Sequence, residues 1–117
     1  MAKKETERKQ LIEEEKARLQ ELFSEIPCKK NLLAIRLIEK AAFMHVTLEE
    51  LQDYINKHGV KEKYKNGANQ SGYKDSVEAK TYANMIKNYT SIIKQLNEML
   101  PNGVDPKDDG FDKFGDD

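Results

Sequence analysis

At 117 residues and 13.5 kDa the chain has room for one domain, and a chain this size takes only roughly two-thirds of its unfolded surface out of water, which disfavours a large catalytic cleft between two lobes. Charged residues make up 35% and hydrophobic ones 38%, with no Trp and a mean hydropathy of -0.84, so the composition is polar and short of core. The formal charge of -1 is segregated: residues 1–60 hold eleven basic and eleven acidic groups, 61–100 seven lysines against four acids, and 101–117 two lysines against six aspartates, so a basic segment precedes an acidic tail and the two suit different partners.

From Glu5 to Ile26 there is neither Gly nor Pro, and Ile12, Leu19, Leu22, Phe23 and Ile26 fall at helical spacing. The front of this helix is almost wholly charged and has nothing to bury, so residues 1–10 are expected to fray. Pro27 stops it. From Lys29 to Val46 the run Leu32, Leu33, Ile35, Leu37, Ile38, Ala41, Ala42 and Phe43 is apolar on most sides, the pattern of a buried helix at the centre of a core.

Thr47-Leu48-Glu49-Glu50 fits a capping box, in which hydroxyl and carboxylate each satisfy an orphan backbone N–H, and Leu48, Leu51 and Ile55 form one stripe ending before Gly59. This predicts a separate short third helix. Helix, short turn at His45-Val46-Thr47 and helix also has the outline of a helix-turn-helix, with 48–58 entering the major groove. Its charges argue against that role, because Glu49, Glu50 and Asp53 outweigh Lys57.

Residues 60–74 alternate around Asn66-Gly67, a type I′ turn signal, and allow a small β-hairpin or an ordered loop. Ser76 then caps a long helix reaching Leu100, where Pro101, Asn102 and Gly103 end it. The expected fold is all-α, four helices over residues 1–100, followed by an acidic tail over 101–117 that is too charged to fold alone and stays disordered until bound.

In the last helix Tyr82, Met85, Ile86, Tyr89, Ile92, Ile93, Leu96, Met99 and Leu100 keep a period of seven over nearly three heptads. The stripe is wider than a two-helix seam needs. Part is expected to pack on Leu32–Phe43 and part on another subunit, the alternative being that all of it is internal core. Lys80, Lys87 and Lys94 recur every seven residues away from the stripe and make a basic ridge ~21 Å long. With Lys61, Lys63, Lys65 and Lys74 in the preceding loop, such a ridge suits a sequence-blind, salt-sensitive contact to phosphates; a merely solvated helix face is the plainer reading.

Catalytic chemistry is missing from the pattern. There is no Gly-rich phosphate loop, no His-Glu-x-x-His and no Ser or Cys nucleophile motif, so neither an enzyme nor a cofactor is expected. His45 and His58 have no acidic or Cys companion at ligand spacing, and the single Cys28 suggests a reducing compartment and no zinc. No apolar run approaches the ~20 residues that span a bilayer, and MAKKETERKQ is not followed by one, so a cytoplasmic protein is expected.

The segments AAFMHVTLEELQDYINKHGV (41–60), YKNGANQSG (64–72) and TYANMIKNYTSIIKQLNEMLP (81–101) resemble, in order and over about half the chain, the small terminase subunits of tailed phages and prophages of Gram-positive bacteria. Most specific are Asn66-Gly67 with Asn69-Gln70, followed by Tyr82, Met85, Lys87, Tyr89, Lys94 and Leu96. Val77 and Ser71 stand where that family often has Pro and a bulky residue. The resemblance implies a non-catalytic DNA-packaging component of the host cytoplasm that forms a homo-oligomeric ring, engages double-stranded phage DNA and brings in the large terminase subunit, which carries ATPase and nuclease. On that reading the heptad stripe from Tyr82 to Leu96 assembles the ring and the seven lysines from Lys61 to Lys94 meet DNA. Phe111 and Phe114, three apart among aspartates, anchor the tail on its partner. A helical adaptor that binds only protein is the rival.

Overall fold

A computed structural model describes residues 2–65 and 71–101, and its element order is helical with one hairpin. Helix α1 spans Ala2–Leu22, a 3₁₀ turn Cys28–Lys30 leads into α2 at Asn31–His58, strands β1 (Lys61–Lys65) and β2 (Ser71–Asp75) form an antiparallel ribbon, and α3 covers Val77–Glu98. The helix-dominated expectation holds in this coarser form, with three α-helices in place of four. Met1, the connecting residues 66–70 and the acidic tail from 102 onward, including Phe111 and Phe114, lie outside the described residues.

The missing fourth helix is explained by Arg8. No break occurs at His45-Val46-Thr47, and α2 runs unbroken for 28 residues, ~42 Å at the usual rise per residue. The hydroxyl and carboxylate of the expected capping box are taken up from the side: Arg8 Nε donates to both oxygens of Glu50 (3.0 and 3.1 Å), its second nitrogen donates to the Thr47 hydroxyl, and its guanidinium lies 4.9 Å from the centre of the Phe43 ring. Phe43, Thr47 and Glu50 lie on one side of a continuous helix, so this clamp needs the helix to continue. It also gives the charged front of α1 something to hold, and α1 begins at Ala2.

The ends of α2 follow the chain's punctuation. Pro27 precedes the 3₁₀ turn, in which the Lys30 N–H reaches the Pro27 carbonyl at 2.9 Å. Gly59 closes the other end with φ of 79°, a left-handed value that a Cβ would strain, and donates to the Ile55 carbonyl at 2.7 Å. Both α1 and α3 pack along α2 and run antiparallel to it, as Arg8 with Glu50 and Lys16 with Glu39 require for α1, and Ser76 with Val60 and Tyr89 with His45 for α3.

The core is small. Leu19 in the last turn of α1, Phe23 and Ile26 in the turn after it, Ala34, Ile38, Ala41 and Ala42 on α2, and Leu96 on α3 form one buried cluster, flanked by Ile12, Leu37, Tyr89, Ile92, Ile93, Met99 and Leu100. The alanines let the neighbouring helices approach closely. The expectation of an all-round buried second helix is corrected here: two neighbours cover only part of its circumference, and Leu32, Leu33 and Phe43 are 67%, 54% and 48% exposed. Leu22, beside the α1–α2 turn, is open as well.

Candidate nucleic-acid interface

Ser76 places both candidate surfaces. Its hydroxyl accepts from the Ala79 N–H at 3.0 Å and caps α3, while its own N–H donates to the Val60 carbonyl at 2.9 Å and closes the base of the hairpin. One buried residue thus ties the end of α2, the ribbon and the start of α3 together.

The seven-residue spacing then sorts α3 into two sides. Leu96 is fully buried within the chain, and Tyr89, Ile92 and Ile93 pack against the same core; Tyr82 and Met85 are half-buried and Ile86 lies open. The apolar stripe is therefore spent inside the chain at its C-terminal end and is least covered toward its start. Lys80, Lys87 and Lys94 are all exposed, and none lies within 4.0 Å of a carboxylate among the described residues.

The hairpin adds a second basic surface. Its register pairs Lys61 with Asp75, Lys63 with Tyr73 and Lys65 with Ser71 on one face, and Glu62 with Lys74 and Tyr64 with Gly72 on the other. The turn signal Asn66-Gly67 lies outside the described residues. Lys61 is bound to Asp75 at 2.6 Å, and Lys74 lies 3.7 Å from Glu62, whereas Lys63 and Lys65 have no such partner among the described residues. The Lys61 hydrogen bond, then its charge, holds the Asp75 carboxyl below its usual range, and Lys80 adds to the pull. Ridge and ribbon thus adjoin at Asp75.

Beneath α3 lies a polar cluster that fixes its position. Glu15, buried on α1, accepts from Arg18 at 2.8 and 2.6 Å, with His45 Nδ1 3.9 Å away. His45 Nε2 is 2.9 Å from Glu49, and its ring lies 6.3 Å from that of Tyr89 on α3. The Arg18 hydrogen bonds lower the Glu15 pKa against the effect of burial, helped by the charges of His45 and Arg18. Burial, followed by the Glu15 charge, raises the Tyr89 phenol.

Glu49, one turn beyond His45, is the acidic companion that the sequence reading overlooked. The segment 48–58, the would-be recognition helix, instead walls a groove of ≈ 850 Å³ against α1, lined by Lys4, Glu5, Arg8, Glu50, Asp53, Tyr54, Lys57 and His58. Its three carboxylates balance Lys4, Arg8 and Lys57, so the groove has no excess of positive charge to draw a polyanion. Comparison with protein-family models, with curated proteins and with solved structures finds no match to the chain.

Because the Glu15 pKa is lower in the folded chain than its ordinary 4.5, its stabilising contribution is complete above that value and is lost as the pH falls through the folded pKa. Glu15→Gln is expected to lower stability at neutral pH by about 1 kcal/mol and to flatten the acid limb of a denaturant-midpoint profile. An acid limb identical to that of the parent chain would exclude Glu15 as its source.

Proposed function

We propose that the chain is a non-catalytic phage terminase small subunit that oligomerises, binds double-stranded phage DNA in the host cytoplasm and recruits the large subunit during packaging. The observation that carries this reading is the exposed row Lys80, Lys87 and Lys94, without carboxylate partners among the described residues, next to a lysine-bearing ribbon. Three point charges on one chain neutralise few phosphates. Repeated around a ring they act at high effective concentration, which turns a weak contact into a firm one. The resemblance of segments 41–60, 64–72 and 81–101 to small terminases supports the same assignment.

Assembly has surfaces to use. The start of the α3 stripe, at Tyr82, Met85 and Ile86, is only partly covered, and Leu22, Leu32 and Leu33 expose apolar area near the other end of the core. In the acidic tail, Phe111 and Phe114 supply anchors for docking a basic partner.

Replacing Lys87 and Lys94 together by Glu should weaken duplex binding by on the order of tenfold or more at low salt and reduce the slope of log affinity against log salt by about 2. Unchanged binding would remove the ridge as the contact surface. Light scattering after size exclusion should give the mass of many subunits, and a monomer at every concentration, with DNA and without, would favour the protein-binding adaptor. Deleting residues 104–117 should leave DNA binding intact and abolish stimulation of the large subunit's ATPase; full stimulation by the shortened chain would end the docking role.

A further inference from the structure

We propose that the β1–β2 ribbon enters the major groove of duplex DNA with Lys63, Lys65 and Tyr73 leading, while the α3 lysines stay outside on the phosphates. This rests on the DNA-binding reading above and identifies the part of the chain that reaches past the backbone.

The first support is how charge is distributed along the ribbon. Near the helices each lysine has an acid of the opposite strand beside it, Lys61 with Asp75 and Lys74 with Glu62. Further out Lys63 and Lys65 have none among the described residues, and the connecting stretch Asn66-Gly67-Ala68-Asn69-Gln70 contains no acid in its sequence. The field therefore draws a polyanion to the outer half of the ribbon and leaves the inner half neutral.

The second support is that the ribbon's two outer tyrosines do different things. Tyr64 lies over Gly72, so closely that a Cβ there would sit 3.2 Å from the ring, and this packing stiffens the ribbon. Tyr73 is 72% exposed on the other face, directly opposite Lys63 and diagonal to Lys61 and Lys65. Among the described residues no hydrogen bond or ring contact engages it. A flat, amphipathic ring surrounded by ammonium groups suits sugars and base edges between phosphates.

The third is size. A two-stranded ribbon fits the major groove, which is about 12 Å wide and 8.5 Å deep, and is too broad for the minor groove at about 6 Å. Five residues of strand extend ~17 Å, so the face that carries Lys63, Lys65 and Tyr73 can lie along the groove.

The test is fluorescence anisotropy of the full chain on a labelled duplex and on one of its single strands across a salt series, with guanine N7 methylation protection on the duplex. Lys63→Ala with Lys65→Ala should weaken duplex binding and reduce the salt slope by about 2. Tyr73→Ala should weaken it by roughly five- to tenfold with the slope unchanged, and should remove N7 protection, while Tyr73→Phe restores most of the affinity. Variants that bind like the parent, when Lys87→Glu with Lys94→Glu does not, would overturn the ribbon and leave the DNA reading standing. A loss confined to the single strand would overturn groove entry in favour of base stacking. No binding by the parent chain at any salt would overturn both.

Discussion

The structure depends on α2 staying helical from Asn31 to His58. A chain with so little apolar area builds its core by giving one long helix two partners, and Ala34, Ala41 and Ala42 make room for them. Leu19 from α1 and Leu96 from α3 then join a single buried cluster, each almost wholly removed from water, worth roughly 1.5–3 kcal/mol apiece. A break at Thr47 would separate the half of α2 that carries this cluster from the half that Arg8 holds. The clamp on Glu50, Thr47 and Phe43 therefore orders more than its own neighbourhood. It aligns the charged half of α1, which has no core of its own, along the last turns of α2.

From that frame the candidate interface follows geometrically. Gly59 ends α2 in a left-handed conformation that turns the chain into the ribbon, and Ser76 closes the ribbon and starts α3 in the same two hydrogen bonds. The direction of α3 is then set by Leu96 at one end and by Tyr89 against His45 in the middle. With its apolar side held against α2, the lysines seven residues apart have solvent as their only place to go. Their exposure is a consequence of core packing, with no dedicated interaction needed to hold them out.

How far the sequence could be read depended on whether a signal was local. The last helix is legible because Ser76 and Pro101-Asn102-Gly103 bracket it, while local alternation within fifteen positions allows the hairpin without separating it from an ordered loop. The false break at Thr47 has the opposite origin. A Thr and a Glu three apart satisfy a helix N-terminus as well as they satisfy an arginine, and which happens depended on Arg8, about forty residues away. The burial of Leu32 and Leu33 was misjudged because apolar composition does not state how many neighbours a helix will have. Likewise the seven lysines look alike in sequence, whereas the strand register sets Lys61 and Lys74 beside acids and leaves Lys63 and Lys65 without one among the described residues. Tyr73 and Tyr64 are equally indistinguishable in sequence, since only the pairing of Tyr64 with Gly72 sets them apart.

On the proposed reading, the two jobs of α3 do not compete. Apolar contacts and phosphate contacts occupy different sides of one helix, so packing the stripe against a neighbouring subunit removes no ammonium group from water. Had the lysines shared the apolar side, each would have faced a desolvation cost of several kcal/mol at an interface that offers few carboxylates to offset it. The separation also fixes how the surfaces can cooperate. Adding subunits through the stripe leaves every chain's basic row available, and the row's pull on a polyanion grows with subunit number while each individual contact stays weak and reversible. A contact of that kind suits a protein that must hold DNA and then release it to another machine. For such a protein a high-affinity site on the single chain would be a hindrance, and the modest charge on α3 fits the task better than a strongly basic domain would.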